Sequence, residues 1–280
     1  MSKPHDDGDK KNAAKISNGS YSCLCGQWVR RILTLILLPN QIHYNQRPTM
    51  SFITEGFLFS SAMVILMLPF EFGLSSSEIK QIRKRDGGKQ LHLAGIRSTI
   101  LNHLILGPLT YDLTVRYCCL QHILPTVWQQ AFAVVKFLLI ENALYYCAHY
   151  LMHTRRLYWM HRFHHKFNVV VLPSSASAVS VPEFAFAYMT PFFAAAKFGS
   201  CDKPSAVAAV VLISAFNLII HTPALEETFA RYPWLFVSPS DHLTHHRQLT
   251  CHYSAPIFHF DRILLSLKEL MYAIQKKIVK

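Results

Sequence analysis

Two fragments, "HRFHHK" at 161–166 and "HLTHH" at 242–246, share the skeleton His-x-x-His-His, and a third, "HYLMH" at 149–153, carries an i, i+4 pair. Spacings of three and four residues place imidazoles on one helical face. His149 with His153, His161 with His164 and His165, and His242 with His245 and His246 therefore each present two or three nitrogens from one short helix. A metal centre needs such convergence, because bonds of about 2 Å leave little slack. A structural zinc site takes only about four ligands, so eight histidines suit two ions. Imidazole accepts Fe, Zn, Cu and Ni, so ligand type alone does not choose the metal. Cys251 is the only cysteine close after the second cluster, which speaks against a zinc ribbon. A lone HxxxH is common, and one HxxHH arises by chance in about one in twenty chains as rich in histidine as this one, which has 16. Two HxxHH copies behind an HxxxH at a helix end form a metal signal.

The elements that must carry these motifs are apolar. Of the 280 residues 51% are hydrophobic and 16% charged, below the usual quarter for soluble domains. The apolar residues come in blocks, as in a modest polytopic membrane protein. The net charge of +12 suits anionic headgroups. Lys and Arg flank apolar blocks and form no single basic stripe, so nucleic-acid binding is not expected. Seven cysteines, with no CxxC, point to a reducing compartment and not to a disulfide scaffold. Cys23 and Cys25 precede an apolar stretch where palmitoylation is chemically open; free thiols are the plainer reading.

Residues 1–31 lack a signal-peptide core and read as a disordered polar arm. Residues 32–98 read as an N-terminal membrane-associated segment and a basic cytosolic loop, and 99–280 as the domain that carries all three histidine motifs. Segment 32–39 is too short to span. Segment 52–70 is long enough, although crossing there places the positively charged arm in the lumen. Stretches 99–118 and 129–150 form one expected hairpin, with Asp112, Arg116, Lys136 and Glu141 either facing a cavity or snorkelling from helix ends. Stretches 182–199 and 205–221, separated by "GSCDKPS", form a second. Each hairpin returns the chain to its starting side, so both HxxHH motifs share a side. Arg155, Arg156, Arg162 and Lys166 make that side cytosolic. The expected fold is thus an all-α integral membrane protein, with about four transmembrane helices in two hairpins under a cytosolic histidine-rich helical cap. At the C-terminus Ile263, Leu267, Leu270, Met271, Ile274 and Ile278 share a face, as in an interfacial amphipathic helix or an ordinary packed one.

The order HxxxH, HxxHH, apolar hairpin, HxxHH resembles the fatty acid hydroxylase/sterol desaturase superfamily of membrane oxygenases over roughly 128–264. The resemblance implies a non-haem di-iron centre, two Fe ions held by His149, His153, His161, His164, His165, His242, His245 and His246. His221, ending the last apolar segment, matches a further family histidine. No catalytic or cofactor-binding residue beyond these metal ligands is expected. Tyr146, Tyr253 and Asp261–Arg262 match the family; Tyr150, His252, Phe260 and Leu265–Ser266 depart from it, and "SVPEF" matches its His-Pro-x-Glu through Glu183 without the histidine. His252 reads as an extra ligand, an outer-layer donor or a surface residue, with the donor favoured.

What the resemblance implies is O₂-dependent hydroxylation or desaturation of a lipid in the endoplasmic reticulum membrane. A sterol is favoured on compact length, with a fatty acyl chain or sphingolipid as the alternative. The sequence shows no His-Pro-Gly-Gly of a fused cytochrome, so electrons are expected from a cytochrome b5-like donor and an NAD(P)H-dependent reductase. The rivals are a non-catalytic, metal-holding lipid-binding paralogue and a metal transporter. A transporter should hold its ligands at mid-bilayer on broken helices, not in Arg-flanked segments at the rim.

Overall fold

A computed structural model describes residues 51–120, 125–254 and 256–278. The polar arm, segment 32–39, Cys23 and Cys25 lie outside the described residues. All named elements among the described residues are helical. The longer ones are α1 (Ser51–Leu68), α2 (Ser76–Arg83), α3 (Gly88–Leu101), α4 (Gly107–Tyr117), α5 (Val127–Met152), α6 (Thr190–Gly199), α7 (Lys203–Ile220), α8 (Pro239–Gln248) and α9 (Phe260–Ile278).

Three helices are long and apolar enough to cross a membrane: Phe52–Leu74, Val127–Met152 and Lys203–Ile220. Segment 52–70 is therefore among the candidates. The expected spans 99–118 and 182–199 are helical but interrupted. Wide π turns, Asn102–Leu106 and Phe184–Met189, precede Pro108 and Pro191. Proline has no N–H to give and its ring crowds the carbonyl four residues earlier. Here those carbonyls belong to Leu104 and Ala187, inside the widened turns. The π turn absorbs the clash without ending the helix.

Helix α5 opens on a capping box. Thr126 Oγ1 accepts from the Gln129 amide at 3.3 Å and Gln129 Oε1 accepts from the Thr126 amide at 2.8 Å. The helix packs its Phe137 against Ala195 and Ala196 of α6 and against Ala209 of α7. These small residues let the backbones approach. After Gly199 the chain turns through Ser200, at φ 54°, into α7.

The stretch expected as a basic loop is largely α2 and α3, with Lys80, Arg83, Lys84, Arg85, Lys89 and Arg97 exposed. Its inner face is built in. Ile79 and Ile82 pack with Phe167, Val170 and Leu172, just beyond the first HxxHH. Buried Glu71 accepts from His92 at 2.6 Å and from the Ser174 amide and hydroxyl, both at 2.8 Å. Thr99 and Asn102 donate to the carbonyls of Ser174, Ser177 and Val179. The N-terminal helices thus clamp the loop that leads away from the first histidine cluster. Asp112 and Arg116 pair one turn apart at 2.7 Å, and Glu141 is buried and accepts from Asn142.

Candidate metal centre

Four pieces of chain bring the histidines in. Helix α5 carries His149 in its last turn and His153 at its C-cap. His161 ends the short helix Tyr158–His161, and His164 and His165 begin the 3₁₀ turn His164–Lys166. The first HxxHH is thus split over two short helices and not carried on one. His221 is the C-cap of α7. The second HxxHH lies on α8 as its spacing requires. Ser238 caps that helix and Asp241 completes the capping box, with Pro239 at the start, where a proline costs least.

All nine histidines converge, in two sets. His149, His153, His161, His165 and His245 form one; His164, His221, His242 and His246 form the other. Within each set the ligating nitrogens lie within 4.8 Å of one another, and each set can hold a metal ion. Eight of the nine are buried, and His153 is half-buried. Between sets, His165 and His246 stand 4.8 Å apart by ring centroid, and His161 and His164 5.2 Å.

The nitrogen spacings test whether a metal suits the site. Nε2 of His149 lies 3.0 Å from Nε2 of His161, and Nε2 of His153 3.2 Å from Nε2 of His165. Nε2 of His242 lies 3.0 Å from Nε2 of both His221 and His246. One imidazole nitrogen donates to another only if the two take opposite tautomers. The outer hydrogen bonds work against that. Nδ1–H of His149 donates to the Tyr253 carbonyl at 3.0 Å, that of His245 to Cys251 at 2.7 Å and that of His221 to Asn217 at 2.7 Å. Nδ1–H of His161 donates to Glu183 Oε1 at 2.5 Å. With Nδ1 protonated, Nε2 presents a lone pair inward. Nitrogens about 2.1 Å from one ion at right angles sit about 3 Å apart, so the spacings fit shared ligation. Nε2 of His245 is buried without a hydrogen-bond partner, as are Nδ1 of His164 and of His246. Buried nitrogens left unpaired are costly.

Burial keeps these rings neutral. It lowers the pKa of His165 to about 4, of His245 to about 3 and of His153 to about 2. It also lowers His161, His164, His242 and His246 well below the ordinary value, with neighbouring imidazoles adding to the effect. A neutral imidazole is the ligand form.

The family-matching residues pack around the site. Tyr253 lies 5.2 Å from His153 and from Tyr150 by ring centroid, and Tyr146 lies 6.3 Å from Tyr253 and 6.2 Å from Phe260. Asp261 accepts from the Tyr253 and Ser254 amides and from the Ser254 hydroxyl, holding the loop whose carbonyls orient His149 and His245. Glu183 has a local signal in the sequence, since Ser180-Val-Pro-Glu opens a helix. The carbonyls of Asn217, Cys251 and Tyr253 have no side-chain signature. His252 joins neither set; it stands with Asp241 and His259.

Residues 134–266 match the family model described as fatty acid hydroxylase. Neither the curated proteins nor the solved structures hold a match to the chain. The matched stretch runs from the middle of α5 into α9 and contains all nine histidines. Over residues 134–266 the chain matches the fatty acid hydroxylase/sterol desaturase superfamily.

Proposed function

We propose that this chain is a membrane-bound, O₂-dependent lipid hydroxylase or desaturase with a di-iron centre. The observation that carries the reading is the division of nine buried imidazoles into sets of five and four within a fatty acid hydroxylase domain. In this reading those nine are the metal ligands and 99–280 is the catalytic domain. Two bound irons would supply O₂ activation for attack on an unactivated C–H bond. The chain's own residues orient the ligands, keep them neutral and exclude water. Glu183 and the carbonyls of Asn217, Cys251 and Tyr253 set the tautomers.

An apolar cavity supports a lipid substrate. Met63 and Met67 of α1, Thr110 and Val115 of α4, and Val210 and Ser214 of α7 line it. Its wall includes Asn217, which accepts from His221, and Phe184, next to Glu183. His103 and Ser177 meet at 3.2 Å in the same wall. The His103–Ser177 pair in a largely apolar lining suits a lipid that carries a hydroxyl, and a sterol is the favoured substrate.

We read the membrane fold as four crossings in two hairpins, with the interrupted helices around 99–118 and 182–199 completing it. The histidines then face the cytosol at the endoplasmic reticulum membrane. Exposed Arg155, Arg156, Arg162 and Lys166 beside the first cluster suit anionic headgroups and an acidic, cytochrome b5-like electron donor served by an NAD(P)H-dependent reductase. The apolar residues Leu264, Leu267, Leu270 and Met271 of α9 are exposed, Leu270 by 57% and Met271 by 71%, which favours an interfacial helix over a packed one.

The test is lipid profiling of membranes with and without the protein, with and without O₂ and NAD(P)H. The reading expects a hydroxylated or desaturated lipid that disappears in His164→Ala and His245→Ala. Product formed equally by either variant contradicts it.

A further inference from the structure

We propose that Asp241, His252 and His259 form a third cation site, of the zinc type, behind α8 and separate from the nine histidines. It needs nothing from the reading of the main centre. The three residues offer one carboxylate oxygen and two imidazole nitrogens within 4.8 Å of one another. The distances are wrong for hydrogen bonds. His259 Nε2 lies 3.6 Å from Asp241 Oδ2, and His252 Nδ1 lies 3.9 Å from Asp241 Oδ1. Hydrogen bonds of this kind close at about 2.7–3.2 Å. Tetrahedral ligands about 2.0–2.1 Å from one ion stand about 3.3–3.4 Å apart, so a small contraction around a cation satisfies all three.

A second observation points into the site. His259 is fully buried, and neither of its ring nitrogens has a hydrogen-bond partner. His252 Nδ1 is buried and unpartnered as well. A buried imidazole with both nitrogens unpaired is expensive; a metal–nitrogen bond removes that cost on one side. His252 takes the left-handed backbone, φ 55°, and its ring centroid is 5.6 Å from that of His259. Non-glycine residues are uncommon there.

The donor set suits zinc, with solvent completing the coordination. The His252 side chain is 26% exposed and gives the ion a way in. The opposing charge is Arg262, whose Nη2 lies 3.8 Å from Asp241 Oδ1. Its side chain is 36% exposed and free to turn outward. The site ties the two ends of loop 250–259 to α8. Cys251 and Tyr253, whose carbonyls accept from His245 and His149, lie in that loop. The ion would thus act as a clamp on the outer layer of the main centre.

The experiment measures zinc and iron in the purified full-length protein after incubation with zinc chloride and desalting, beside His252→Asn and Asp241→Asn. Asparagine tolerates the left-handed backbone at 252, and at 241 it retains a capping side chain. We expect one zinc per chain more in the wild type than in His252→Asn, and zinc affinity at least about tenfold lower in Asp241→Asn. Zinc taken up by the nine-histidine centre is subtracted, read as the uptake lost on adding His165→Ala and His242→Ala to each chain. The difference therefore decides the proposal whatever the iron content, which tests the main centre alone. Equal zinc in the wild type and His252→Asn overturns it.

Discussion

The imidazole of His161 is held from both sides. Its Nδ1–H donates to Glu183 Oε1 at 2.5 Å while its Nε2 lies 3.0 Å from Nε2 of His149. Glu183 is thereby the one acidic side chain hydrogen-bonded to a member of the five-histidine set among the described residues, and the second oxygen of its carboxylate has no partner. Such partners fix the tautomer and raise the basicity of a ligand.

Replacing Glu183 by Ala leaves Nδ1–H of His161 buried and unpaired, a cost of about 1–3 kcal/mol. We expect iron affinity to fall about 10–100-fold in Glu183→Ala. Glu183→Gln, whose amide oxygen still accepts, recovers part of it. Iron titration of the apoprotein reads the difference, and equal affinity in all three chains contradicts the assigned role.

The pH dependence follows from the depressed histidines. The unfolded chain protonates its imidazoles near pH 6.5, the native chain only near 4 for His165 and near 3 for His245. Below pH 6.5 the unfolded state binds more protons, so stability falls as pH falls. Bound metal holds the rings neutral and acts in the same direction. Thermal unfolding in detergent should give a melting temperature flat above about pH 7 and dropping steadily from about 6.5 towards 4. A rise over that window contradicts the buried neutral set.

The cavity predicts a separation of metal binding from turnover. Ser214 lines the apolar cavity and is not one of the nine histidines' hydrogen-bond partners named above. Ser214→Phe should lower lipid turnover at least about tenfold while iron content stays at the wild-type level; a pocket contact worth about 1.4 kcal/mol accounts for that factor. Unchanged turnover contradicts the cavity as the substrate site.

Gly95 tests the clamp by the N-terminal helices. A Cβ there would lie 2.7 Å from Cζ of Phe167. Phe167 is fully buried and has no room to swing. Gly95→Val should cost about 1–3 kcal/mol by overpacking and lower the melting temperature. A stability equal to wild type contradicts this contact.

The histidine clusters are legible in the sequence because their members come in short-range patterns. His149/His153, His161/His164/His165 and His242/His245/His246 announce themselves at helical spacing, and His221 through the family order. Their sorting into five and four was not legible. His164 and His165 are neighbours in sequence yet fall in different sets, because successive side chains of a 3₁₀ turn point about 120° apart. His259 is a lone histidine, and its meeting with Asp241 and His252 is purely tertiary. The helices long and apolar enough to cross a membrane were readable where no break intervenes, as in α5 and α7. The π turns before Pro108 and Pro191 make the segments around 99–118 and 182–199 read differently as structures than as apolar strings. The clamp of Glu71, His92 and Ser174 joins residues up to 103 positions apart, and no local pattern marks it.

Iron per chain, measured on the purified protein beside His165→Ala and His242→Ala, tests the central claim most directly. Each variant removes a histidine from one set only. The account predicts about two irons in the wild type, one for each set, and about one in each variant, if the sets load independently. One iron or none in the wild type, or two retained in both variants, contradicts it.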